Sequence, residues 1–448
     1  MSRPEYQTEL HDRTKFAPGN NRLAFFAYAH NLAEVTRGIE IARVLRDRGM
    51  DISFFTHGGP HENRIKEADF PLITLQPIIS EEKHEALIGV EQGRNFHGPF
   101  KTQELSVYVN SEVEALRLFQ PLGVYFGMNL PCVISSRALR LPLIMVLPTA
   151  VTWTYFQHGL GTYPESHEKL VSRWLPRKLK DRFFNAFMLR LSVGLKVFTR
   201  IAETYGLPPL KSYFQDIFSG DLTLLADLPE LTGLPETLFP RNFQYIGPLF
   251  AHLPLPVPEE VRHVFDRSGT NVYLSMGSSA QPSLLKKAAL ILRDSGFNVV
   301  ITTTSIMDPV DLGPMPKNVY ATRYLPAPEV NEMADVAVTH GGQGTIQTAC
   351  WAGTPVVGVA LQFEQQANLD MIVRAGMGIR IPMRRFSRDH LLKAIESVTQ
   401  NPSYLKNASR IKSQFRRING AARAADLILD FLGIRDFYGL KTQNPKGT

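Results

Sequence analysis

The stretch VAVTHGGQGTIQTACWAGTPVVGVALQFEQQANL, from Val336 to Leu369, constrains this chain most. An apolar run, Val336 to Val338, ends at Thr339-His340. Glycines follow at 341, 342 and 344, then a helical run from Thr345 to Trp351. A second apolar run, Pro355 to Leu361, comes after Gly353-Thr354. The order is strand, tight loop, helix, strand, the repeating unit of a parallel α/β sheet. Glycines bare the backbone N–H groups at a helix start, and such an end accepts a phosphate. His340 at the loop's mouth can donate one more hydrogen bond. Glu364-Gln365, just past the next strand, could reach polar groups on the same ligand. The stretch predicts a site for a nucleoside diphosphate carrying a hydroxyl-rich group. A glycine loop before a helix is also, taken alone, an ordinary tight turn.

The same rhythm recurs along the chain. Leu23–Tyr28 and Asp51–Thr56 read as strands on either side of a helix from Glu34 to Arg48. Val35, Ile39, Ala42, Val44 and Leu45 give that helix its periodicity, and Gly49 suits its C-terminal cap. Leu143–Pro148 and Leu222–Leu225 continue the pattern. Prolines then crowd between Pro229 and Pro258, opposing helix and central strand alike. Beyond them the rhythm restarts at Asn271–Ser275, Asn298–Thr302, Val336–Thr339 and Pro355–Val359. The expected class is α/β with two Rossmann-like, doubly wound domains. The expected layout is a tail at 1–20, a first domain at 21–235, a linker at 236–262 and a second domain at 263–415. A helix at 416–435 and a tail at 436–448 complete it.

Composition narrows the partners. A chain of 448 residues is too long for one ordinary core. No apolar run approaches the roughly 20 residues that span a bilayer, and the first twenty residues lack a signal-peptide core. The two cysteines, Cys132 and Cys350, form no metal-ligand spacing and suit a reducing, cytoplasmic setting. The formal charge of +7 is spread along the chain with no nucleic-acid module in view.

His-Gly-Gly-x-Gly-Thr, then Gly-x-Pro, then an acid-Gln-x-x-Asn run at this spacing resembles the nucleotide-sugar signature of the UDP-glycosyltransferase family. The resemblance implies the GT-B architecture, two Rossmann-like domains facing across a cleft, with the last helix crossing back to the first domain. It implies a metal-independent enzyme with no cofactor and a nucleoside-diphosphate sugar as co-substrate. The donor residues it implies are Ser275, Gly277 and Ser278 of a Ser-x-Gly-Ser loop, with His340, Gly342, Gln343, Gly344 and Thr345 of the glycine loop. Tyr324 stands where the family stacks a Trp on the base, and Ala327 where a Gln reads it. Thr348, eight residues after His340, replaces a Glu that holds the ribose hydroxyls. Relatives that use thymidine-diphospho sugars also carry Thr there, so the donor is UDP- or dTDP-linked. Glu364 and Gln365 match an Asp-Gln pair that holds sugar hydroxyls.

The family's catalytic dyad is absent by spacing. Glu34 stands where the family's general-base His is expected, and Gly127 where its orienting Asp is expected. An acceptor hydroxyl must still lose a proton as it attacks the anomeric carbon. The candidates are Glu34, in the first turn of a helix, and His30, at the end of the first strand, acting alone or as a pair. Glu34 is also explained as a charge favoured by the helix dipole.

On the acceptor side, Trp153, Tyr155, Phe156 and Trp174 are expected to give an apolar wall. Residues 173–200 interleave cations with large apolar side chains. They suit either a helical hairpin covering the acceptor, the favoured reading, or peripheral contact with an anionic membrane surface. The expected activity is an inverting transfer of a hexose-type sugar to a hydroxyl of an apolar small molecule or lipid, by a monomer or weak dimer. An epimerase or hydrolase of the same fold, and a non-catalytic nucleotide-sugar-binding protein, are the alternatives.

Overall fold

The structure, a computed structural model, is described for residues 20–91, 98–168, 174–251, 255–277 and 280–434. Ser278 and the tails, except Asn20, lie outside these residues.

Two parallel sheets carry the chain. The first holds seven strands: β1 (Arg22–Ala27), β2 (Asp51–Thr56), β3 (Leu72–Thr74), β4 (Gly123–Gly127), β5 (Leu143–Leu147), β6 (Leu222–Leu225) and β7 (Phe243–Tyr245), in the order β3-β2-β1-β4-β5-β6-β7. The second holds β8 (Asn271–Ser275), β9 (Asn298–Thr302), β10 (Val319–Thr322), β11 (Val336–Thr339), β12 (Val356–Gly358) and β13 (Gly378–Arg380), in the order β10-β9-β8-β11-β12-β13. Five helices bear on the site: α1 (Leu32–Asp47), α2 (Arg177–Leu189), α3 (Gln343–Ala352), α4 (Phe363–Arg374) and α5 (Gly420–Phe431).

Both faces of the first sheet are covered, so β1 is buried from Leu23 to Ala27. Alternate side chains serve different cores. Phe25 stacks on Tyr125 at 4.4 Å, in the cluster that also holds Ile39 of α1 and Ile428 of α5. Phe26 stacks on Phe55 at 5.2 Å on the opposite side. Thus α5, from the far end of the chain, packs beside α1, and Arg48 pairs with Asp426 at 2.5 Å.

The segment 236–262 is not only a linker. Its residues Phe243–Tyr245 form β7, which pairs with β6. Pro240 and Pro248 flank this strand rather than interrupt it, and an edge position tolerates such neighbours.

Strand order reverses between β1 and β4 in one sheet, and between β8 and β11 in the other. Open α/β sheets bind ligands outside the carboxyl ends of strands at such points. Tyr28, Ser275 and His340, each at or just beyond a strand's carboxyl end, line one shared cavity of about 750 Å³.

Candidate functional site

One wall of the cavity comes from the second sheet. Ser275, Gly277, Tyr324, His340, Gly342, Gln343, Gly344, Thr345, Thr348 and Glu364 all line it. The loop after β11 is held from inside: the hydroxyls of Thr339 and Thr345 lie 2.8 Å apart, and Gly341 N donates to Thr339 Oγ1 at 3.3 Å. Asn368 of α4 donates to Gly341 O at 2.9 Å and to Glu364 Oε1 at 3.1 Å, tying α4 to the loop.

Two glycines make room for His340. A Cβ on Gly342 would lie 2.6 Å from His340 Cε1, and one on Gly277, which has φ +61°, would lie 2.9 Å from the same atom. Any side chain at either position displaces the imidazole. Burial lowers the His340 pKa to about 4, so the ring is neutral near pH 7 and acts by hydrogen bonding. Thr348 Oγ1 donates to Thr345 O at 3.1 Å and accepts from Asn331 Nδ2 at 3.3 Å. The Arg64 guanidinium lies over the Tyr324 ring, 5.9 Å from its centroid.

Where the walls meet lies a buried charge cluster. Glu34, in the first turn of α1, lines the cavity and faces Arg37 Nη1 across 3.2 Å. Arg37 Nη2 donates to Gln343 Oε1 at 2.9 Å, and Gln343 Nε2 donates to Ala226 O at 3.0 Å. Asp227, just after β6, accepts from Thr149 N at 2.7 Å. Burial raises the carboxyls of Glu34, Asp227 and Glu364 above their ordinary range, and Arg37 opposes the rise in all three. Three carboxyls share one guanidinium here, which favours keeping part of the cluster protonated. Arg37 and Asp227 were not singled out from sequence. Their signals were a Glu-x-x-Arg pair on one helix face and an acid two residues beyond a buried strand.

The other expected residues fall elsewhere. His30 does not line the cavity. Its Nε2 lies 3.2 Å from Ile79 O, its Nδ1 lies 3.9 Å from Glu81, and its ring stacks on His84 at 4.5 Å. It therefore does not pair with Glu34 in the cavity. Gln365 is buried in the start of α4, where its Oε1 accepts from Leu361 N at 3.0 Å and Gln362 N at 3.2 Å. Gly127, where an orienting Asp was expected, has no room for any side chain, since a Cβ would lie 2.5 Å from Phe26 O.

None of the four expected acceptor residues lines the cavity. Tyr155 and Phe156 are fully buried in the first domain's core, Trp153 packs against that core, and Trp174 is 89% exposed. The apolar wall is built instead by Tyr28, Met128, Phe184, Met188, Phe214 and Phe363, among others. Tyr28 is braced by a 2.6 Å contact between its hydroxyl and His84 Nδ1. Asn129, also in the wall, donates to the buried Glu112 at 2.8 Å.

Known proteins resemble this chain in sequence and fold. Residues 293–417 match the family model described as erythromycin biosynthesis protein CIII-like, C-terminal domain. The PGL/p-HBAD biosynthesis glycosyltransferase of Mycobacterium tuberculosis is 27% identical over 409 residues, covering 88% of each chain. Among solved structures, the calicheamicin glycosyltransferase CalG4 superposes with a TM-score of 0.66 at 19% identity, covering 93% of this chain and 99% of its own. The glycosyltransferase VinC in complex with dTDP does so at 0.65 and 16%, covering 92% and 99%.

The fold is the GT-B fold of glycosyltransferases, and the sequence is similar to theirs. A glycosyltransferase of this kind needs a polar donor wall, an acceptor wall and a proton acceptor between them. Polar side chains of the glycine loop, apolar side chains and Glu34 all belong to the lining of this one cavity.

Proposed function

We propose that this glycosyltransferase moves a hexose-type sugar from a nucleoside diphosphate to a hydroxyl of an apolar acceptor, with inversion at the anomeric carbon. The single observation that carries this reading is one cavity lined both by the polar glycine loop of the second domain and by a cluster of large apolar side chains, most of them from the first. The diphosphate would lie at the start of α3, where backbone N–H groups and neutral His340 donate to it. Glu364 would hold sugar hydroxyls. Glu34 would take the acceptor's proton as the acceptor oxygen bonds to the anomeric carbon. The bond from that carbon to the diphosphate oxygen breaks, and the nucleoside diphosphate leaves with the electron pair. One displacement with one base inverts the configuration. Burial brings the Glu34 pKa toward neutrality, which strengthens it as a base. These roles require no metal.

Thr348 and Ala327 favour a thymidine diphosphate over UDP, because neither offers the carboxylate or amide that would read ribose and uracil. That VinC was solved with dTDP supports the same choice. The reading carries with it a cytoplasmic site of action, with peripheral contact at the inner face of a membrane as a further option. Among the described residues, no helix is long and apolar enough to cross one. Incubation of the chain with UDP- and dTDP-hexoses, with and without apolar phenols and alcohols, tests the proposal. Acceptor-dependent glycoside formation supports it. Sugar release or isomerisation without acceptor points to an epimerase or hydrolase, and donor binding without turnover to a non-catalytic protein.

A further inference from the structure

The inner face of α2 is fixed to the first domain. Phe184 and Asn185 are buried, Asn185 Nδ2 donates to Gly161 O at 2.6 Å, and Lys180 pairs with Glu168. The outer face is therefore set as well. Leu179, Phe183 and Phe187 form an i, i+4, i+8 ridge on it, with exposures of 37%, 64% and 55%. Trp174 and Leu175 extend the ridge beyond the helix start, at 89% and 45%. Lys178, Arg182 and Arg190 flank it and are exposed. The only acid of α2, Asp181, is drawn inward by Tyr163 N at 2.7 Å and Arg177 at 3.2 Å. The outward surface thus combines large apolar side chains with positive charge alone. An anionic lipid surface complements both, since aromatic rings settle at the headgroup level and cations meet the headgroups. A contiguous apolar patch of this kind on a soluble chain marks an interaction surface.

Phe187 belongs to this ridge and also lines the cavity, next to Phe184 and Met188. The exposed ridge and the apolar wall are therefore continuous. We propose that α2 docks on an anionic bilayer and that amphiphilic acceptors pass from the bilayer into the cavity beside Phe187. This rests on the apolar-acceptor reading above and adds the source of the acceptor.

The test is co-sedimentation with vesicles of phosphatidylcholine alone or mixed with phosphatidylglycerol. The wild type should bind the mixed vesicles at least about tenfold more tightly than the neutral ones. Lys178→Glu with Arg182→Glu should abolish that preference. Trp174→Ser with Phe183→Ser should weaken binding by about tenfold or more, while dTDP binding by calorimetry stays unchanged, which also reports that the variants fold. The same pair should slow transfer to an acceptor embedded in vesicles and leave transfer to a short, soluble acceptor intact. Absence of vesicle binding, or binding equal in all variants, overturns the proposal. So does a concentration-dependent dimer in sedimentation velocity that disappears with Trp174→Ser, since a second copy would then cover the ridge. If docking fails while soluble acceptors are glycosylated, only this inference falls and the transferase reading stands.

Discussion

Arg37 Nη2 donates to Gln343 Oε1 across 2.9 Å, joining the helix that carries Glu34 to the first residue of the helix that opens on the glycine loop. The same guanidinium faces Glu34 at 3.2 Å. One buried cation thus sets the position of the candidate base relative to the candidate diphosphate site. Gln347 reinforces the joint by donating to Ala226 O at 2.5 Å and accepting from Leu249 N at 3.0 Å.

Removing that cation should be costly. Arg37→Ala leaves Glu34 buried without its counterion and Gln343 Oε1 without its donor. The expected loss is about 3–5 kcal/mol of stability, the range for breaking one side of a buried pair. Urea denaturation monitored by fluorescence measures it, and a loss below about 1 kcal/mol would remove Arg37 from this role.

The diphosphate site makes a separate prediction. His340→Ala should weaken nucleoside diphosphate binding by about 1–3 kcal/mol, as for other hydrogen bonds to charged groups. Because burial lowers the ring's pKa to about 4, the His340 contribution should be flat from pH 6 to 8. Calorimetry across that range checks both statements. Unchanged affinity in a folded variant would contradict the assignment.

Donor preference follows from Thr348, whose hydroxyl is already engaged by Thr345 O and Asn331. Competition binding should show dTDP at least as tight as UDP. A preference for UDP greater than about tenfold, or 1.4 kcal/mol, would contradict it.

The raised carboxyls predict a pH dependence. Unfolded Asp titrates near 3.9, and burial raises folded Asp227 above that value. The native state then holds more protons between the two values, so stability falls as pH rises through this window. The contribution is fully present below the unfolded pKa and lost above the folded one. Asp227→Asn removes the titration and can still accept from Thr149 N. Melting curves from pH 4 to 8 should show the wild type declining relative to Asp227→Asn as pH rises. A parallel pair of curves would mean that Asp227 is ionised throughout.

Much of the second domain was legible because its signals are local. The strand, glycines, helix start and Thr348 lie within a dozen or so positions, and their spacing fixes which side chains face the loop. The first domain's share was less legible. The apolar wall draws on Tyr28, Met128 and Phe184 of that domain and on Phe363 of the second, which only the tertiary fold brings together. Aromatic content could not separate Tyr155 and Phe156, which are sealed in the core, from Phe184, which reaches the cavity. Gln365 sits one residue past Glu364 in α4, and that step of about 100° turns it from the cavity into the helix cap. His30 was chosen for its place at a strand end, but its ring turns toward the helix bearing His84.

The central claim is that Glu34 activates an acceptor for sugar transfer in this cavity. Its most direct test is the turnover of wild type, Glu34→Gln and His30→Ala with a dTDP-hexose and a soluble apolar acceptor, with product configuration read by NMR. The account predicts an inverted glycoside from the wild type, a loss of about 10²-fold or more in Glu34→Gln with dTDP binding kept, and nearly normal turnover in His30→Ala. Full activity in Glu34→Gln, or a product of retained configuration, would contradict it.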